Sequence, residues 1–247
     1  MPIKGGEVKN LIACILLVFC LAGCGTTAKF VYPDDVQRLV ILSERPIYNK
    51  KVAVTPFEEQ RGSSNVSGTY FLYLVPVMPF GFGTYERPDA ARMFNTINEF
   101  HFDVVEDLAK ASVTSIRKSG LFEDVFFTYG GEKDKADFIF SGKVISTKYE
   151  GSIYSYGLSA IGPLLWYVGL PAGSSENHLA VQFNLIDRLT NATVWQHSYT
   201  NQNTIIQGLY YNYGHDVKGY ASLMEDAMNE SLLDMRKSLD QYLKQPK

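Results

Sequence analysis

Cysteine is nearly missing from this 247-residue chain: Cys14, Cys20 and Cys24 are the whole supply, all near the N-terminus. Beyond position 24 there can be no disulfide, no cysteine-held metal and no cysteine nucleophile. Histidine is scarce too. His101, His178, His197 and His215 stand far apart, none at metal-ligand spacing, and no HExxH string occurs, so no metal site is expected. No serine occupies a G-x-S-x-G elbow. Gly81-Phe82-Gly83 and Gly130-Gly131 read as turns, because neither opens a helix after a strand with phosphate-cradling spacing. The carboxylates Glu58, Glu59, Glu123, Asp124 and Asp137 fall at loops or element ends, where capping and solubility account for them. No catalytic set and no cofactor site can be assembled, and an enzyme is not expected. Lys and Arg number 23 against 26 Asp and Glu and are scattered. Without a basic stripe to neutralise phosphates, nucleic acid is not an expected partner.

A long apolar run is also missing, with one short exception. Leu11 to Leu21 is unbroken, too short for the roughly 20 residues of a spanning helix, but right for the ~7–15-residue core of a signal peptide. Lys4 and Lys9 precede it and Leu21-Ala22-Gly23-Cys24 follows. A short membrane anchor or an ordinary secretory signal is the alternative. This order of charge, apolar core and small residues before a cysteine resembles the lipobox of bacterial lipoproteins. The resemblance implies cleavage between Gly23 and Cys24, a diacylglyceryl group on Cys24 and acylation of the new N-terminus. It also implies a membrane partner reached through lipid on Cys24. Gly25, where an aspartate would retain a lipoprotein in the inner membrane, implies the periplasmic face of the outer membrane.

The expected organisation is a signal peptide at 1–23, a lipidated tether at 24–47, and one α+β periplasmic domain at 48–247. Arg38–Leu42 reads as a short strand and Lys51–Phe57 as another, β-branched and closed by proline. From about Pro88 to Ser119 the apolar period is helical, with Phe102, Val105, Leu108, Ala109, Ser112 and Ile116 on one face. Gly120 suits the left-handed residue that ends a helix. Val125–Tyr129 and a long run from Ala136 to Tyr149 read as strands. His178–Arg188 and Thr193–Asn201 alternate as a hairpin does. A last helix from about Lys218 to Leu243 carries a stripe that includes Met224, Met228, Leu232, Met235 and Leu239. Packing on the sheet is the main reading of that stripe, with a partner-binding methionine face as its rival. The order of elements gives an α+β two-layer sandwich, a mixed sheet with helices packed on one face.

The string Val52–Phe57, the helix end Ser119-Gly120-Leu121-Phe122-Glu123-Asp124-Val125, and Ala136–Val144 occur in succession. Together they resemble a superfamily of envelope proteins. It includes the curli secretion-channel lipoprotein, lipoprotein activators of penicillin-binding proteins, and the N-terminal domain of the Tol-Pal translocation protein. The resemblance implies an assembly, export or regulatory component, with a protein partner or self-association in the envelope.

Two apolar inserts, at about 67–84 and 152–175, depart from that pattern. The first carries Tyr70, Phe71, Tyr73, Phe80 and Phe82; the second Tyr156, Leu164, Leu165, Trp166 and Tyr167. Both are broken by Pro and Gly, so neither is a continuous helix, and neither alternates as a membrane-barrel strand does. They read either as buried loops or, side by side, as a docking surface for the bilayer or a partner subunit. The expectation is a non-enzymatic accessory or assembly lipoprotein, with the subunit of an oligomeric export channel as the alternative.

Overall fold

The structure is a computed structural model that describes residues 26–63, 66–87, 97–216 and 218–244. Its strands begin with Thr26–Lys29 (β1), Tyr48–Val54 (β2), Glu58–Glu59 (β3), Val66–Thr69 (β4), Phe80–Tyr85 (β5) and Ile97–His101 (β6). Helix Val104–Ser119 (α1) leads to Phe122–Phe127 (β7), Phe138–Ser146 (β8) and Tyr149–Tyr154 (β9). A hairpin of Gly173–Asp187 (β10) and Thr193–Gln207 (β11) then precedes the helix Lys218–Tyr242 (α2).

Nine strands form one mixed sheet in the order β4–β5–β9–β10–β8–β2–β7, with β11 along β10 and β3 along β8. β10 organises it. One edge of β10 pairs with β11 almost throughout. The other edge is divided: Ala180–Asp187 pairs with β8 and Gly173–Asn177 with β9. The sheet thus has two storeys. In the lower one β2 runs parallel to both β7 and β8. The upper one, β4–β5–β9–β10–β11, is antiparallel throughout.

Both helices cover one face of the lower storey, which makes the α+β two-layer arrangement read from the sequence. Alternate residues point inward, as a half-buried strand requires: Phe138, Phe140 and Val144 from β8, and Val181, Phe183 and Leu185 from β10. They meet Leu108, Ala111 and Ile116 of α1 and the stripe Leu223, Met224, Met228, Leu232, Met235 and Leu239 of α2. The three methionines of that stripe are fully buried, so their adaptable side chains fill the core. α1 starts where Asp103 accepts from the Glu106 amide at 3.2 Å and ends at Gly120, φ 70°. A side chain at Gly120 would also strike the carbonyl oxygen of Ser43, 2.0 Å from where its Cβ would sit.

Several elements differ from the sequence reading. Arg38–Leu42 is not a strand. Its amides are taken elsewhere: Val40 donates to the Asn229 side chain and Leu42 to the Ser119 carbonyl at the end of α1. Of the helix read from Pro88, residues 88–96 lie outside the described residues, 97–101 form β6, paired in parallel with β1, and Val104–Ser119 is helical. The run 136–149 is divided at Thr147 and Lys148, whose carbonyls accept the Tyr220 hydroxyl between β8 and β9. The segment read as a tether packs closely from Phe30 onward. Phe30 stacks on Phe102, the Asp35 amide donates to Glu225, and Arg38 reaches Ser222 and Asp226. Residues 1–23, read from sequence as a signal peptide, and Cys24 lie outside the described residues.

Candidate functional site

The two apolar inserts meet in the upper storey. The first supplies the β4–β5 hairpin and the second supplies β9 and the start of β10. β5 and β9 are hydrogen-bonded neighbours, with Phe80 opposite Tyr154, Phe82 opposite Ser152 and Thr84 opposite Glu150. Beyond the strands each insert closes with a 3₁₀ segment, Tyr70–Leu74 in one and Ser159–Val168 in the other. Gly81 allows the first to fold back: a Cβ there would lie 1.8 Å from the Tyr70 carbonyl oxygen. The prolines that exclude a long helix and the glycines that permit close approach produce these compact tips.

The tips are laced together. The Val77 amide donates to the Gly157 carbonyl at 3.0 Å, and the Ser155 and Tyr156 amides share the Pro79 carbonyl, each at 2.9 Å. Ser155 Oγ donates to the Met78 carbonyl, and Ser159 Oγ to that of Leu74. Trp166 Nε1 donates to the Tyr154 carbonyl and the Tyr156 hydroxyl to that of Pro171. A third segment joins, one that the sequence reading passed over. After β11 the chain turns at Gly208–Tyr211, and the Tyr210 hydroxyl donates to the Tyr167 carbonyl at 2.9 Å. The available signal was an aromatic run, Leu209-Tyr210-Tyr211-Asn212-Tyr213, of the same composition as the inserts.

Together these segments make an apolar cap. Of the residues singled out from sequence, Phe71, Phe80, Phe82, Leu164 and Tyr167 are exposed; Tyr70, Tyr73, Tyr156, Leu165 and Trp166 are half-buried and hold the cap together. Other cap residues are exposed as well: Val77 is 85% exposed and Val168 73%, and Ile161, Met78 and Tyr210 are also exposed. No Asp, Glu, Lys or Arg occurs in 62–85, in 151–175 or in 189–214. Scattered exposed apolar residues need no explanation, but a contiguous group on three laced segments does.

A buried polar cluster supports the cap from below. The Tyr149 hydroxyl donates to Asp216 Oδ1 at 3.0 Å, and Gln207 Nε2 reaches the same oxygen and Ser175 Oγ. All four side chains are fully buried. Burial, reinforced by the Asp216 carboxylate, pushes the Tyr149 phenol well above its usual range, so it serves as a donor and not as an acid. Among the described residues no three His, Cys, Asp or Glu side chains are placed to hold a metal, and no helix is long and apolar enough to cross a membrane.

No protein-family model matches the chain. No curated protein matches it either. Among solved structures, it is similar to a DUF330 protein from Xanthomonas campestris, with 10% identity and a TM-score of 0.49, over 87% of this chain and 99% of that one. It is also similar to PelC from Paraburkholderia phytofirmans, a dodecamer, with 15% identity and a TM-score of 0.41, over 77% and 91%. Likenesses this distant assign no function, so function is argued from the residues.

Proposed function

We propose that this chain is a lipid-anchored, non-catalytic component of a bacterial cell envelope, held at the periplasmic face of the outer membrane through Cys24, and that it works by docking through its cap. One observation carries the docking role: three separate charge-free segments converge on one end of the molecule and expose their apolar side chains there. Supporting it, the Tyr156 hydroxyl and the Trp166 indole N–H are bonded to carbonyls within the cap, and the Tyr210 hydroxyl to the Tyr167 carbonyl. The anchor is supported by the order of charge, apolar run and Leu21-Ala22-Gly23-Cys24. The accessory or assembly role follows from a docking surface without a defensible catalytic set.

The alternative, a subunit of a membrane-crossing export channel, is less well supported. β4, β5 and β9 have 4, 6 and 6 residues, short of the roughly 9–11 that a spanning strand needs.

Metabolic labelling with radioactive palmitate should mark the wild-type protein and leave Cys24→Ala unmarked; an unlabelled wild type overturns the anchor. The paired change Leu164→Asn and Val168→Asn tests docking. Unchanged partner recovery, oligomer size and contact of the cap with lipid, read by brominated-lipid quenching, would remove the cap's role.

A further inference from the structure

We propose that the cap's occupant is the bilayer itself: the tips insert at the membrane–water boundary of the same leaflet that carries the Cys24 lipid. This rests on the docking reading above and commits it to one surface.

Charge favours it first. Protein interfaces have polar rims and are enriched in arginine, whereas 62–85 and 151–175 offer no charge of either sign. Charges are the most costly side chains to place in a bilayer, and their absence is what insertion requires. The backbone favours it next, because hydrocarbon supplies no hydrogen bonds and exposed tips must satisfy their own. The Val75 amide donates to Leu72, Met78 to Val75, Ile161 to Leu158, Gly169 to Trp166 and Leu170 to Leu165. The Tyr156, Trp166 and Tyr210 donors likewise bond carbonyls of the cap, and Tyr and Trp favour the headgroup level of a membrane.

The position of the anchor decides between a bilayer and a second copy. β1 begins two residues after Cys24, so the lipid-bearing residue lies within about 18 Å of Lys29. From Phe30 the chain packs on Phe102, which packs on Tyr220, and Tyr220 donates to Thr147 and Lys148 where β9 begins. β9 runs from there into the cap, covering about 17 Å between Tyr149 and Tyr154. After Phe30 the chain leads the opposite way, past Tyr32 on Ser115 to Tyr48 beside Asp240. β1 therefore enters the fold on the cap's side of the helical layer, and Cys24 precedes its first residue by two positions.

The test uses the lipidated protein extracted from membranes and reconstituted in phosphatidylethanolamine–phosphatidylcholine vesicles. Cys24 is the one cysteine of the processed chain and is acylated, so Val77→Cys, Leu164→Cys and Leu189→Cys each give a single labelling site. Leu189 is exposed at the far turn, between β10 and β11. An environment-sensitive dye at 77 and 164 should shift to the blue and be quenched by brominated lipid, while the dye at 189 stays aqueous and unquenched. A cap dye that shifts with protein density and resists brominated lipid overturns the bilayer in favour of a second copy, and leaves the docking reading standing. Dyes aqueous in vesicles but shielded in membranes of the producing cell overturn it in favour of a protein. Dyes aqueous in both settings overturn the docking reading as well.

Discussion

Val77 is held with φ at 73°, a conformation that glycine adopts freely and a β-branched residue avoids. The cost is about 1–2 kcal/mol. Of the five non-glycine residues with positive φ among the described residues, Val77, Tyr156, Ser159 and Asn212 belong to the cap and its third segment. Strain persists where the surroundings enforce it, and it clusters where a surface has work to do. Replacing Val77 with Asn, which tolerates this conformation, should leave stability unchanged or raise it by about 1 kcal/mol. It should also weaken brominated-lipid quenching of a dye at Leu164→Cys. Urea unfolding and that quenching read the two effects separately, and a loss in both would assign Val77 to packing. Asp187 shows the opposite use of a residue. Burial alone would raise its pKa, but the Thr190 and Leu189 amides and the Tyr242 hydroxyl outweigh it and hold the carboxyl below its usual range. Its folded pKa lies below the unfolded one. The stabilisation is therefore full above about pH 4 and fades as pH falls through the folded value. Asp187→Ala should cost on the order of 2 kcal/mol near neutrality. In urea unfolding at about pH 3 the gap to wild type should narrow; an unchanged gap would mean that the lost hydrogen bonds do not depend on charge.

At the scale of elements, the upper storey is an addition to a fold that closes without it. The core of α1, α2 and the lower strands forms one apolar cluster, while Tyr85 and Tyr149, with Tyr70 packed on them, form a second. Gly81→Ala drives a methyl into the Tyr70 carbonyl and should displace the 70–74 segment from β5. We expect brominated-lipid quenching of a dye at Leu164→Cys to fall and the Trp166 environment to change, while Trp195, bonded to Asp234 on α2, keeps its signal. Loss of both tryptophan signals would show that the storeys fold as one unit. This division also explains what the sequence made legible. α2 was readable because its apolar positions repeat at helical spacing against charged neighbours, and β10 because Leu179, Val181, Phe183 and Leu185 alternate. β5 and β9 were hidden: Gly81, Gly83 and Gly151 share the inward positions with Tyr85 and Tyr149, while Phe80 and Phe82 face outward, so the apolar pattern does not mark a core face. Arg38–Leu42 misled for a different reason. Its Leu-Val-Ile run has strand composition, yet its partners are helix ends and side chains, which no local pattern announces. The inserts were recognisable as apolar, but their pairing, and the addition of 206–213, depend on the strand register between distant segments.

The whole molecule, on this reading, holds the membrane in two ways. A lipid on Cys24 keeps the protein from leaving, since two or more acyl chains anchor stably where one does not. A tether alone leaves orientation free. The cap would fix it, directing the lower storey and its acidic helix residues Asp226, Glu230 and Asp234 away from the surface. The chain's net charge is −3 and the cap has none, so the contact should draw on apolar area and owe nothing to the surface potential of the leaflet. A basic patch would gain roughly 1 kcal/mol per Lys or Arg on anionic lipid and lose it to screening. Here, brominated-lipid quenching of a dye at Leu164→Cys should hold steady between about 0.05 and 0.5 M salt, a range over which the Debye length shrinks severalfold. Adding phosphatidylglycerol should leave the quenching level or lower it slightly through repulsion of the net negative charge. If salt abolished the quenching instead, charged residues outside the cap would be making the contact, and the orientation drawn from the charge-free segments would be wrong.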